Sequence, residues 1–142
     1  MKNLSYLTVL FLFFIQGCVG PPEYSDGLIE NTPAVINETD YFSLSIFGDK
    51  YTEKLEWNLS FNSNSTASLL TTLVTKDVNN SSIDSTFLLL MNELGDTVLN
   101  AFIMNEIIFT SLDSLKFIGT PSKVVFESDQ FSGRLEYQII IN

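Results

Sequence analysis

Leu55, Trp57, Leu59 and Phe61 alternate with Lys54, Glu56, Asn58 and Ser60. Successive side chains of a strand point to opposite faces, so this alternation predicts a half-buried strand. Tyr41 to Phe47 reads as the strand before it, joined through Gly48, Asp49 and Lys50. Asn62 to Thr66 is turn chemistry, and Ala67 to Thr75 is the next strand. Asp77 to Asp84 is a polar loop. Phe87 to Met91 is unbroken apolar sequence, as expected of a strand covered on both faces. Glu93-Leu94-Gly95-Asp96 lies between Phe87–Asn92 and Thr97–Met104, and a short glycine-containing connection between such runs predicts a hairpin. Ile107 to Thr110, Leu115 to Ile118 and Lys123 to Glu127 read as short strands. The last strand is Leu135 to Ile141, with Leu135, Tyr137, Ile139 and Ile141 on one face.

Some eight or nine short strands, with turns every eight to twelve residues and no long helical period, predict an all-β fold, an antiparallel β-sandwich. Over residues 40–142 the chain resembles an Ig-like domain in length and strand spacing. That resemblance is architectural, because the cysteine pair joining the two immunoglobulin sheets is absent. A small closed β-barrel is the alternative.

The amino-terminal end follows different rules. Lys2 precedes an apolar run from Leu4 to Ile15, then Gln16, Gly17 and the chain's one cysteine, Cys18. The run has the length of a signal-peptide core and is too short to span about 30 Å of hydrocarbon. A cysteine after a small residue at the end of such a run resembles the lipobox of bacterial envelope lipoproteins, although Gln16 stands where a small or hydroxyl residue is usual. The resemblance implies a signal peptide over 1–17, cleavage before Cys18, and acylation of that thiol and of the new amino terminus. A plain secretory signal with an incidental cysteine is the alternative. Residues 18–39 hold Pro21, Pro22, Pro33, Gly20 and Gly27 among acids, and read as the acylated cysteine plus a flexible tether; Leu28 to Ile36 as a first edge strand is the alternative. Residues 40–142 are then the folded domain. Placement in the envelope, at the outer membrane, follows from the resemblance. In Bacteroidota-type lipoproteins acids directly after the cysteine mark surface export; here Val19 to Pro22 intervene before Glu23, which leaves the periplasmic or surface face open.

Composition narrows the partners. Lys and Arg number 7 against 17 Asp and Glu, a net charge of −10. The scattered cations cannot track a phosphate backbone, so nucleic acid is not an expected partner. Anionic headgroups would repel the domain, which makes the lipid the expected membrane contact. The chain has no histidine, which removes the usual general base near neutral pH and the commonest zinc ligand.

Weighed as chemistry, the remaining constellations are thin. Asp77, Asn79 and Ser81 occupy positions 1, 3 and 5 of an EF-hand-like loop, but Ser82 replaces its glycine and Leu88 its bidentate glutamate. Glu38 with Asp40, Glu93 with Asp96, and Asp84 or Asp113 are acid pairs or loop acids of the kind composition alone supplies. No G-x-S-x-G is present. Asn37, Asn58, Asn64, Asn79 and Asn80 each begin a glycosylation sequon, which is incidental in a bacterial chain. The expectation is therefore no enzyme, no metal and no cofactor.

Most aromatics share strand faces with Leu and Ile and belong to a core. Tyr24, Tyr41, Tyr51 and Phe131 fall in or beside predicted loops and are the candidates for partner contact. Two segments lack protection by charge or proline, Ala101 to Phe109 and Leu135 to Ile141; both read as central strands covered on two faces, and if either is a free edge it is the carboxy-terminal strand. Together these features suggest a lipid-anchored accessory or protein-interaction module, with a small-ligand or glycan-binding lipoprotein as the alternative.

Overall fold

A computed structural model describes residues 27–62, 64, 66–79 and 86–142. The described residues form nine strands: β1 (Ala34–Asn37), β2 (Tyr41–Tyr51), β3 (Lys54–Asn58), β4 (Ser68–Lys76), β5 (Phe87–Asn92), β6 (Thr97–Phe102), β7 (Ile108–Ser114), β8 (Pro121–Glu127) and β9 (Phe131–Ile141). One helical turn, α1 (Leu115–Ile118), stands between β7 and β8. The strands form two antiparallel sheets, β1-β2-β9-β4-β7 and β3-β8-β5-β6, and neither closes into a barrel. The molecule is an all-β sandwich.

Its strand order is more specific. The chain crosses between sheets after β2, β3, β4, β6, β7 and β8, so early and late strands interleave, β2 against β9 and β3 against β8. Apart from β1, this is the two-Greek-key order of a jelly roll. In the immunoglobulin order the second, fifth and fourth strands are neighbours. Here β9 separates β2 from β4, so the Ig-like resemblance holds for the two-layer architecture and not for the order.

The core forms where the two inner faces meet. Phe42, Leu44 and Ile46 of β2, Leu69 and Leu73 of β4, and Leu135, Tyr137 and Ile139 of β9 are buried against Leu88, Leu90, Val124 and Phe126 of the other sheet. Rings link the layers: Phe42 lies 6.0 Å from Trp57 and 6.3 Å from Tyr137, and Phe126 lies 6.5 Å from Tyr51 and 6.1 Å from Phe131. Each aromatic removes a large apolar area from water, so these contacts carry much of the stabilisation.

Several local expectations change. Leu115–Ile118 is helical and not a strand: Leu115 turns into the end of the core, Phe117 is left in solvent, and Gly119 closes the turn with φ 75°. The β5 run is not covered on both faces, since Leu88 and Leu90 are buried while Phe87, Leu89 and Met91 are half-buried on the outer face. Gly48-Asp49-Lys50 does not end β2, which shifts register there and continues to Tyr51. Within the segment read as a tether, Ala34–Asn37 pairs with Phe42–Ser45, and Asn37 donates from Nδ2 to the Asn58 carbonyl at 2.9 Å.

Candidate functional site

Two of the predicted contact residues are core residues. Tyr51 ends β2 stacked on Phe126, and Phe131 is fully buried. The local sequence misleads because Phe131 follows Asp129 and Gln130, the latter in a left-handed turn with φ 54°. The turn delivers the ring onto Gly48, whose missing side chain leaves room for it. Tyr24 and Cys18 lie outside the described residues. Tyr41 is half-buried, on the outer face of the five-stranded sheet.

That outer face is the candidate site. Directly paired residues share a face, and the registers give its rows. Tyr41, Ile140, Leu70 and Leu112 form one; Ile36, Ser43, Gln138, Thr72 and Thr110 the next; Ala34, Ser45, Glu136, Val74 and Ile108 a third. Phe47, Arg134 and Lys76 follow, with the Arg134 guanidinium 5.1 Å above the Phe47 ring. Among these side chains Glu136 is the single acid, against Arg134 and Lys76. A face without excess negative charge is unexpected in a chain of net charge −10.

The most exposed apolar side chains of this face lie on β7, with Ile36 on the β1 edge 51% exposed. Leu70, Val74 and Ile140 are half-buried, whereas Leu112 is 68% exposed and Ile108 85%. β7 is also a sheet edge. The carboxy-terminal strand β9 is central and not the free edge offered as its alternative, flanked by β2 and β4 along its length. A chain terminus frees one end of a strand but not its sides, and sequence order does not say which strand is outermost. The other unprotected segment, Ala101 to Phe109, runs from the end of one edge strand, β6, into another, β7.

The start of β7 is fixed by Thr75. Its buried hydroxyl donates to the Asn105 carbonyl at 3.0 Å and accepts from the Ile107 N–H at 2.8 Å. Beside it, Thr75, Lys76, Asp77, Glu106 and Ile108 line an open depression of about 550 Å³. Its polar groups face each other: the Asp77 N–H donates to Glu106 Oε1 at 3.2 Å.

The other candidate chemistry stays dispersed. Asp77 and Asn79 begin the former EF-hand-like loop, whose residues 80–85 lie outside the described residues; the Asn79 N–H donates to the Ser132 carbonyl. Glu38 and Asp40 flank the β1–β2 turn, Glu93 and Asp96 the β5–β6 hairpin, and Asp113 sits on the inner side of β7 beside Leu69. Among the described residues no three of His, Cys, Asp or Glu come together as metal ligands, and no helix is long and apolar enough to cross a membrane. Comparison with protein-family models, with curated proteins and with solved structures finds no match.

Proposed function

We propose that this chain is a bacterial envelope lipoprotein, held at the outer membrane through Cys18, whose sandwich is a non-enzymatic module for protein interaction. One observation carries the reading: an acidic molecule presents a sheet face with a single acid among its paired rows, whose most exposed apolar side chains, Ile108 and Leu112, lie on an open edge. Such faces on soluble domains mark association surfaces. The anchor rests on the run from Leu4 to Cys18 and supplies the membrane contact that the domain's charge disfavours. The small-ligand or glycan alternative leaned on loop aromatics, and Tyr51 and Phe131 belong to the core.

Palmitate labelling and membrane fractionation of the wild-type chain and of Cys18→Ser test the anchor. Loss of both label and membrane association in Cys18→Ser is expected; retained labelling would remove the lipoprotein reading. For the module, Val74→Glu with Leu112→Glu should abolish crosslinking to other envelope polypeptides or to itself, while Lys54→Glu on the opposite sheet should not. Equal crosslinking in all three chains would remove the interaction reading.

A further inference from the structure

We propose that β7 pairs with β7 of a second copy of this chain, antiparallel about a two-fold axis at Thr110, joining two five-stranded sheets into one. The proposal rests on the interaction reading and names the occupant of the open edge.

Among the described residues the two sheets have four edges, and three are blunted. β1 is four residues long and runs into Glu38 and Asp40. β3 carries Lys54 and Glu56, paired across to Glu127 at 3.2 Å and Lys123 at 3.3 Å. β6 follows Asp96 and shifts register against β5 between Leu90 and Met91, which twists the edge. β7 has seven residues in unbroken register with β4, no proline, no lysine, and no charge on its outer face.

Backbone alternation fixes what β7 offers. The Thr75 N–H donates to the Ile107 carbonyl at 2.8 Å and the Leu115 N–H to the Ala67 carbonyl at 3.1 Å, so odd-numbered residues bond toward β4. Ile108, Thr110, Leu112 and Ser114 therefore direct their N–H and C=O groups toward the open edge. The same four place their side chains on the outer face. A two-fold at Thr110 sets Thr110 against its own copy and Ile108 against the partner's Leu112, twice, in hydrogen-bonded pairs. The two most exposed apolar side chains of the strand thus cover each other. Centring on Ser111 instead would set Ile108 against Ser114 and Phe109 against Asp113, which is the poorer register.

The centre of this edge carries no charge, and like charges are confined to its ends. Two copies of net charge −10 repel over most approaches. In the Thr110-centred pair the two Asp113 side chains stand six residues apart, about 20 Å at ~3.4 Å per residue. That exceeds the screening length of ~8 Å at physiological salt. The nearest acids across the seam are Glu106 and the partner's Asp113, one pair at each end of the paired stretch, where Lys76 lines the same depression as Glu106.

The test uses the full chain in detergent, carrying Cys18→Ser so that an added cysteine is the only thiol. Cα atoms of a hydrogen-bonded antiparallel pair lie ~5.5 Å apart, within disulfide range. Thr110→Cys should oxidise to a covalent dimer, and Ser111→Cys and Gln138→Cys should not. Light scattering should give a dimer for the parent chain and half that mass for Leu112→Lys, with an unchanged far-UV spectrum. Gln138→Lys, on the same face but away from the edge, should remain dimeric. A parent chain that stays monomeric, or a Ser111→Cys dimer in place of the Thr110→Cys dimer, would overturn the pairing. If Val74→Glu with Leu112→Glu still abolished capture of a different envelope protein, the interaction reading would stand without it.

Discussion

Gly48 of β2 lies directly across from Gly133 of β9, and neither position has room for a methyl group. A Cβ on Gly48 would come within 2.7 Å of both the ring and the carbonyl of Phe131. One on Gly133 would meet the Lys76 and Asp77 carbonyls at 3.0 and 3.1 Å, from a backbone at φ 143°. The pair lets β2, β9 and the end of β4 approach where the sheet bends and Phe131 drops into the core. Gly48→Ala should cost about 2 kcal/mol through overpacking, and Gly133→Ala about 3 kcal/mol because left-handed strain adds to crowding. Urea unfolding midpoints at constant slope measure both. A neutral Gly48→Ala would mean that the Phe131 ring is not seated there.

Asn92 organises the opposite end of the sandwich. Its buried side chain accepts from the Leu94 and Asp96 N–H groups, each at 2.9 Å, and donates to the Ile118 carbonyl at 2.8 Å. The β5–β6 hairpin and the end of α1 are thereby tied to one amide. Asn92→Ala leaves those backbone groups without it and should cost about 2 to 3 kcal/mol. Asn92→Asp keeps the two acceptor bonds and loses the donor, so it should fall between. Protection of the Leu94 and Asp96 amides against hydrogen exchange should drop before global unfolding does.

Tyr137 is a core tyrosine whose hydroxyl has no hydrogen-bond partner among the described residues. Its burial drives the phenol far above the ordinary 10.0; Tyr51 shifts the same way through burial, then through the charge of Glu53. Below pH 10 both tyrosines are neutral in the folded and unfolded chain, so their contribution is constant. Above it the unfolded chain ionises first, and Tyr137 lowers stability by about 1.4 kcal/mol per pH unit. Tyr137→Phe should stabilise the protein by about 1 kcal/mol at neutral pH, since it removes an unpaired buried hydroxyl. It should also flatten the alkaline decline. A destabilised Tyr137→Phe would show that the hydroxyl has a partner.

Where the sequence pattern succeeded, each strand's own alternation was enough. Leu135, Tyr137, Ile139 and Ile141 do share the inner face, and Gly95 does sit in a hairpin turn, with φ 85°. The failures are non-local. Period-2 alternation places side chains on faces but is silent on which strand is outermost, so nothing in the sequence separates the central β9 from the edge strand β7. Tyr51 and Phe131 looked like loop residues because the features that bury them, the Gly48 register shift and the turn at Gln130, span both ends of the β2–β9 pair. The outer face was legible only in retrospect, since Leu70, Val74, Ile108, Leu112 and Ile140 come from three strands distant in the chain.

The central position of β9 and the edge position of β7 make proline a discriminating probe. Ser68 and Asn142 exchange hydrogen bonds at 2.9 and 3.0 Å, so by alternation Gln138 bonds to Thr72 in the middle of the five-stranded sheet. Pro at Gln138 deletes that bond and presses its ring toward β4, and should cost roughly 3 kcal/mol or more. Pro at Leu89, inside β5 and flanked by β6 and β8, should be comparably damaging. Thr110 differs from both because by the same alternation its N–H points away from β4, toward a side of β7 with no neighbouring strand among the described residues. Pro there should leave the urea midpoint within about 1 kcal/mol of wild type. The ordering Gln138 and Leu89 damaging, Thr110 mild, follows from the topology alone and does not depend on any partner. Equal loss at Thr110 and Gln138 would mean that β7 is covered on its outer side within a single chain.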